Sequence, residues 1–300
     1  MLLKIVEVVM NKNITKSIDD SISMNAVRVN NHNQEITDIS SFSLRQTFFN
    51  SRECPYCGSH HVLSNGNYKG RKRYICKHCR KSYNDLTKTP FSGIHDLDKI
   101  MKYLNCMIKG DSIRKAASIV KISVATSFSW RHKLLNCLNQ LPSPKLKNVK
   151  EIMELEIPYS HKGQRSILSD YQRNSKLSAL FVCDRTGKLD SDSITLINRD
   201  KNPLLGRISE ISNKHTDIIC STKFSNIFDL SRIKIKTSNS PFNQPYVILQ
   251  VVKFWQTWMK RFHGVASKYL NNYLHWFDFL DNSIYSENIL SDFMQLLLKH

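Results

Sequence analysis

At 300 residues with 41% hydrophobic side chains, the chain is long enough for two or three packed modules. Its 44 Lys and Arg against 25 Asp and Glu give a formal charge of +19 and a pI near 9.6, which points to a polyanionic partner, most simply nucleic acid. No long uncharged apolar run speaks for a membrane span, and Met1–Met10, short and carrying Lys4 and Glu7, is not expected to act as a secretory leader.

Residues 1–50 are rich in Asn, Ser and Ile, lack Gly and Pro, and are weakly periodic; a poorly ordered extension is expected there. Next comes Cys54-Pro-Tyr-Cys57, eighteen residues, then Cys76-Lys-His-Cys79. Two Cys-x-x-Cys pairs at this separation can each place two sulfurs on one turn, and two such turns facing each other close a tetrahedron around a structural Zn²⁺. Two disulfides in a secreted domain would use the same four residues, but the spacing favours the metal. A strand over 61–67, turn signals at Asn65-Gly66 and Lys69-Gly70, and a return strand over 71–75 complete a zinc ribbon spanning 51–92. Cys106, Cys137, Cys183 and Cys220 stand singly among apolar residues and are expected to be buried thiols, a usage that suits a reducing cytoplasm.

Between Tyr68 and Pro90 the ribbon carries Lys69, Arg71, Lys72, Arg73, Lys77, Arg80, Lys81 and Lys88 against one acid, Asp85. Such a cluster reads as a phosphate-contacting face, with Arg71, Lys72, Arg73, Arg80 and Lys81 its leading candidates. Residues 95–140 predict three helices. Asp98 to Lys109 is the first, ended by Gly110; Asp111 or Ser112 caps the second; Ser123 caps the third, which runs through Trp130, Leu134 and Leu138. Small Ala116 and Ala117 fall where two helices joined by a tight turn must approach, which is helix-turn-helix patterning. The third helix would then offer Thr126, Ser127, Ser129, Arg131, His132 and Lys133 to duplex DNA, with Trp130 on the apolar side.

The proline-bearing stretch 141–149 reads as a linker, after which the pattern turns to strands: Glu151 to Tyr159, Leu177 to Cys183, Ser193 to Asn198, Asp217 to Ser221 and Arg232 to Lys236. From Tyr246 the chain is helical and aromatic, with Phe254, Trp255, Trp258, Phe262, Tyr269, Tyr273, Trp276, Phe277 and Phe279 expected in the core. The fold class is therefore multidomain α+β, with an α/β domain over 150–285 and a last helix over 286–300.

Specific words carry a family likeness. They are Cys54-Pro-Tyr-Cys57-Gly58, Arg73-Tyr-Ile-Cys76-Lys-His-Cys79, Asn84-Asp-Leu-Thr-Lys-Thr-Pro90 and Ser123-Val-Ala-Thr-Ser-Phe-Ser-Trp-Arg-His-Lys133. Trp258-Met-Lys-Arg-Phe-His-Gly-Val-Ala-Ser-Lys-Tyr-Leu270 and Asn272-Tyr-Leu-His-Trp276 follow near the end. Over roughly residues 52 to 280 the chain resembles transposases of bacterial insertion sequences that have a ribonuclease H-like catalytic domain. The resemblance implies binding of double-stranded DNA at the element's terminal inverted repeats and Mg²⁺-dependent cleavage and strand transfer. It also implies action as a homodimer or higher assembly, and a cytoplasmic, nucleoid-associated bacterial location. Two-metal chemistry of that kind needs hard carboxylate ligands. Glu154 matches the leading Glu of the family's first acidic word and Glu156 falls at its catalytic Asp. Thr222, in Cys220-Ser221-Thr222, stands where a second Asp is expected, and Tyr246 to Met259 contains no acid. Asp217, Asp229 and Asp278 fall on no motif position and are expected to be surface acids or caps. The acid set is incomplete, so the expectation is a degenerate transposase; the alternative is an inactive DNA-binding protein or repressor derived from one.

Overall fold

The computed structural model describes residues 53–68, 70–139, 143–147, 149–160, 176–196, 202–211, 217–220, 235–237, 246–284 and 286–298. The expectations for residues 1–50 and for Thr222 and Asp229 lie outside these. The chain divides into two compact units, Met1–Met101 and Lys102–His300. The expected linker at 141–149 therefore does not coincide with the division between units.

In the first unit a three-stranded antiparallel sheet is formed by β1 (Val62–Tyr68), β2 (Arg71–Cys76) and β3 (Ser82–Asn84), in that order. Tyr68 pairs with Arg71, so the hairpin reverses at the expected turn, with Gly70 at φ +75°. Asn65-Gly66 is not a turn. The register shifts between Ser64 and Asn67, and Gly66 (φ +67°) relaxes a bulge within β1. The small core is Cys54, Cys76 and Tyr83, with Val62, Tyr74 and Cys79 packed against it. Beyond β3, the Oδ1 of Asn84 accepts from the Leu86 amide and the Thr87 hydroxyl. This local turn accounts for the Asn-Asp-Leu-Thr sequence.

Helix α1 (Leu97–Ile108) leads into the second unit, where α2 (Ile113–Val120) and α3 (Val124–Leu138) follow. The expected caps are in place. The Ser112 hydroxyl accepts from the Lys115 amide at 3.3 Å, and Ser123 accepts from the Thr126 amide at 3.0 Å. Between these helices Lys121 takes a left-handed conformation (φ 57°) and the Ile122 amide reaches back to the Ala117 carbonyl, closing the turn. Ala116 and Ala117 are buried. The Tyr103 hydroxyl donates to the Ser127 carbonyl at 2.6 Å, and Ser127 donates to the Ile113 carbonyl at 2.8 Å.

A five-stranded sheet is built from β4 (Val149–Ile157), β5 (Lys176–Asp184), β6 (Leu189–Leu196), β7 (Asp217–Cys220) and β8 (Ile235–Thr237), in the order β6-β5-β4-β7-β8. The first three strands in sequence run antiparallel; β7 and β8 add in parallel on the other side of β4. One face carries Ile152, Leu180, Val182, Ile218 and Cys220 and is covered by Leu204 and Ile208 of α4 (Asn202–Ile211). Sequence patterning had no helix there. Its marks are Pro203 at the first turn and the spacing of Leu204, Ile208 and Ile211. Against the other face lies α5 (Tyr246–Met259), whose Trp255 meets Phe181 edge to face at 5.2 Å. Helices α6 (Leu270–Asn282) and α7 (Ile289–Leu298) follow. Of the aromatic C-terminal run, Trp255, Trp258, Tyr273, Trp276 and Phe277 are buried as expected, while Phe254, Phe262, Tyr269 and Phe279 are half-buried.

Strand β6 is an edge strand, and its outward amides are taken up by side chains of α6. Leu189 donates to Asn282 at 2.8 Å, Ser191 to Asp278 at 2.7 Å and Ser193 to Asn271 at 2.9 Å. Asn282 returns a bond to the Leu189 carbonyl at 2.8 Å, and the Ser191 hydroxyl donates to Asp278 at 2.6 Å. Asn271, Asp278 and Asn282 lie at helical spacing, so one polar stripe satisfies an edge that would otherwise be open to pairing. Asp278, expected as a surface acid or cap, is a buried part of this stripe. Burial raises its carboxyl well above the usual range, against the pull of the Ser191 donors.

Candidate metal centre and nucleic-acid interface

The two cysteine turns share one hydrogen-bond pattern. Gly58 donates to Cys54 and Arg80 to Cys76, both at 2.9 Å; Cys54 donates to Ser59 at 2.9 Å and Cys76 to Lys81 at 3.1 Å. Both Gly58 (φ 71°) and Arg80 (φ 58°) are left-handed, the conformation that turns the backbone amides toward the sulfurs. Cys54 and Cys79, and Cys57 and Cys76, have sulfurs 3.6 Å apart, and all four lie within 4.8 Å of one another. With Zn–S bonds of about 2.3 Å, a tetrahedron sets its sulfurs about 3.8 Å apart, so the four thiols fit zinc. All four are free of disulfides. Amides of Cys79 and His78 pull the Cys76 thiol down to about 6 against the opposing effect of burial. At Cys57 the Ser59 amide pulls down, but desolvation and the three neighbouring thiols together push it up to about 12. Four bunched thiols cannot all ionise alone; a divalent cation in their midst lets them do so.

Around this centre the basic residues are placed unequally. Lys72, Arg80 and Lys81 are exposed. Lys81 and Lys88 stand 4.9 and 5.2 Å over the ring of Tyr56. Arg71 is half-buried and donates to the His95 carbonyl at 3.0 Å, while Arg73 donates to the Ser82 hydroxyl at 3.1 Å.

On α3 the expected polar face is turned partly inward. Ser127 and Arg131 are fully buried. The Arg131 guanidinium donates to the Asp111 carbonyl at 2.8 Å and lies 4.5 Å over Trp276, with its Nε and Nη1 unpartnered. His132 stacks on Tyr269 at 3.8 Å, and burial, with Arg131 and Lys268 nearby, lowers it to about 4. It is therefore neutral near pH 7 and cannot serve as a cationic phosphate contact. Thr126 is half-buried beside its cap, 2.8 Å from the Ser123 hydroxyl; Lys133 is half-buried and its ammonium is lowered by desolvation; Ser129 is exposed. The outward stripe is Val124, Ala125, Phe128 and Ser129. Helix α3 also joins α6 through Asn272, which accepts from Asn139 and donates to Asn136.

Glu154 and Glu156 share the α4 face of β4. Glu154 accepts from the Ser178 hydroxyl at 2.6 Å, and Glu156 is exposed. A third acid of the same strand, Glu151, points to the opposite face and is fully buried. It accepts from the Ile248 amide at 3.0 Å, with Arg185 Nε 3.4 Å away but not aligned as a hydrogen bond. Strand alternation from buried Ile152 is the signal that separates Glu151 from the other two. Among the described residues, the four cysteines are the only group of three or more His, Cys, Asp or Glu side chains that converge on a metal-sized point.

No family model matches the chain. The chain is similar to a protein of Halobacterium salinarum described as an uncharacterized protein in the transposable element ISH50, with 29% identity over 115 residues. That match takes in 37% of this chain and 38% of the relative's length. No described helix is long and apolar enough to cross a membrane.

Proposed function

We propose that the protein is a transposase-lineage protein of an insertion sequence, which binds duplex DNA at the element's ends and whose acidic active site is degenerate. The observation that carries this reading is the sheet order β6-β5-β4-β7-β8, an antiparallel triplet extended by two parallel strands. This mixed sheet, with helices on both faces, is compatible with the ribonuclease H-like domain that the resemblance implies. The likeness to a protein of a transposable element supports the same lineage.

DNA binding rests on charge and on the ribbon. Zinc held by Cys54, Cys57, Cys76 and Cys79 would stiffen a small module that has too little apolar core of its own. Exposed Lys72, Arg80 and Lys81 are its phosphate contacts, with Arg71 and Arg73 positioned by their own hydrogen bonds. The helices α2 and α3 form the second contact, and two copies acting together would bring two ends into one complex.

Catalysis would require Mg²⁺ held by several carboxylates. Glu154 and Glu156 are the candidates on the first strand, and Glu154 already accepts a serine hydroxyl. The second position is Thr222, whose neutral hydroxyl is a poor substitute for a bridging carboxylate, and α5 supplies no acid.

The test uses the full zinc-loaded chain with labelled duplexes in a salt titration, followed by supercoiled plasmid with Mg²⁺ or Mn²⁺. The expected result is duplex binding with a steep salt dependence and no nicking. Failure to bind any duplex at low salt would overturn the reading. Metal-dependent nicking that disappears in Glu156→Ala would overturn the degeneracy and leave an active transposase.

A further inference from the structure

If α3 meets DNA, the side chains it presents are not those usually associated with base reading. Arg131 and Ser127 are buried, and His132 is stacked under Tyr269. Beside exposed Ser129, the large side chains that face outward are apolar: Val124 is 51% exposed, Phe128 43%, and Ile119, five residues before Val124 across the turn, 50%. Large apolar groups exposed together on one structural motif mark a contact surface more often than chance exposure does. Phe128 is also held in place. Its ring lies 4.3 Å from His132 and 5.9 Å from Tyr269, so it projects from an aromatic ladder rather than swinging freely.

The surroundings select the occupant. No Asp or Glu occurs between Ser112 and Lys150 in sequence, and none between Tyr246 and Phe277, the stretch that supplies Tyr269. Lys121, in the turn before α3, and Lys268, 4.8 Å over the Tyr269 ring, are exposed, as is Arg114 of α2, while Asp111 is buried and paired with Lys115 at 2.7 Å. Apolar side chains on stretches that carry cations and no acid suit a surface that is itself apolar at the centre and anionic at the rim. In duplex DNA the apolar feature of the major groove is the thymine 5-methyl, flanked by phosphates. Every other base edge there offers a donor or acceptor, which Val124 or Phe128 would cover and leave unsatisfied.

We propose that Val124, Ala125 and Phe128 read thymine 5-methyl groups, so that α3 selects A·T-containing steps by apolar contact and not by hydrogen-bonding side chains. This rests on the reading of the chain as a duplex-binding protein, and deepens it by naming the chemical feature that is read.

The experiment selects duplexes from a random pool with the full zinc-loaded chain. The enriched sequence is then resynthesised with deoxyuridine in place of thymidine, which removes only the methyl. Each contacted methyl is expected to be worth about fourfold in affinity. Val124→Ser and Phe128→Ala are each expected to lose the part of the thymidine preference that the residue supplies, and the double variant to bind both duplexes alike. Val124→Ser is expected to unfold at the wild-type temperature and Phe128→Ala at a lower one, because its ring packs on His132 and Tyr269. Equal binding of the two duplexes by the wild type would overturn this inference and leave duplex binding intact. Failure of any duplex to be enriched or bound would overturn both. If the chain is a dimer that Phe128→Ala converts to a monomer with an unchanged thymidine preference, the patch is a self-association face and the inference falls.

Discussion

Replacing Asp278 with alanine is expected to weaken the Lys102–His300 unit by about 2–6 kcal/mol, because two donors lose their acceptor and each stranded buried donor costs about 1–3 kcal/mol. Those donors are the Ser191 amide and hydroxyl, at 2.7 and 2.6 Å. Asparagine should behave differently. It has the shape of the protonated acid, with one acceptor for the Ser191 amide and one donor for the Ser191 oxygen once that hydroxyl rotates. The pH dependence follows from the direction of the shift. Burial raises the folded carboxyl well above its ordinary value, so the native state holds the proton more firmly than the unfolded chain. Asp278 therefore contributes most at low pH, and that contribution is lost as pH rises from the unfolded pKa through the folded one. Asp278→Asn should match wild type at acid pH and exceed it increasingly as pH rises. The four tryptophans, at 130, 255, 258 and 276, all belong to this unit, so urea unfolding followed by indole emission reports on it alone. An alanine variant within about 0.5 kcal/mol of wild type would refute the reasoning, since that is the range of an ordinary surface change. So would a difference between wild type and the asparagine variant that does not grow with pH.

Gly110→Ala is expected to lower the melting temperature, since φ is +67° and a Cβ would lie 2.8 Å from Trp258 Nε1. The left-handed backbone alone costs about 1–2 kcal/mol, so an unchanged melt would refute the backbone argument as well as the clash with Trp258. Chelation or Cys76→Ser should abolish the ribbon's amide dispersion in NMR spectra while tryptophan emission stays native; a ribbon that keeps its dispersion without metal would count against the zinc centre. Lys72→Gln and Lys81→Gln should each reduce the salt dependence of duplex binding by about one phosphate contact, measured as the slope of log affinity against log salt. An unaltered slope would remove them from the interface.

The convergence of the four cysteines was legible because their spacing is local: each pair sits on one turn, and the left-handed residue that each turn needs follows the pair directly. The caps Ser112 and Ser123 were legible for the same reason. The inward phase of α3 was harder to read. Ser127, Arg131, Leu134 and Leu138 fall at helical spacing, but two of them are polar, and polarity argued for solvent. Their partners are Tyr103 on α1 and Trp276 on α6, and nothing near Arg131 in sequence announces an indole more than a hundred residues away. Asp278 misleads in the same manner, because the strand edge it serves lies far upstream. In the acidic stretch of β4, three glutamates look alike in sequence; alternation across the sheet separates buried Glu151 from Glu154 and Glu156.

Helix α3 is tied to α6 through the Arg131–Trp276 contact and through Asn136, Asn139 and Asn272, and α6 is in turn laced along β6. A continuous run of side-chain contacts therefore joins the outer helix to the rim of the sheet. A substitution that breaks this run at Asn272 is expected to loosen the attachment of the helix to the sheet.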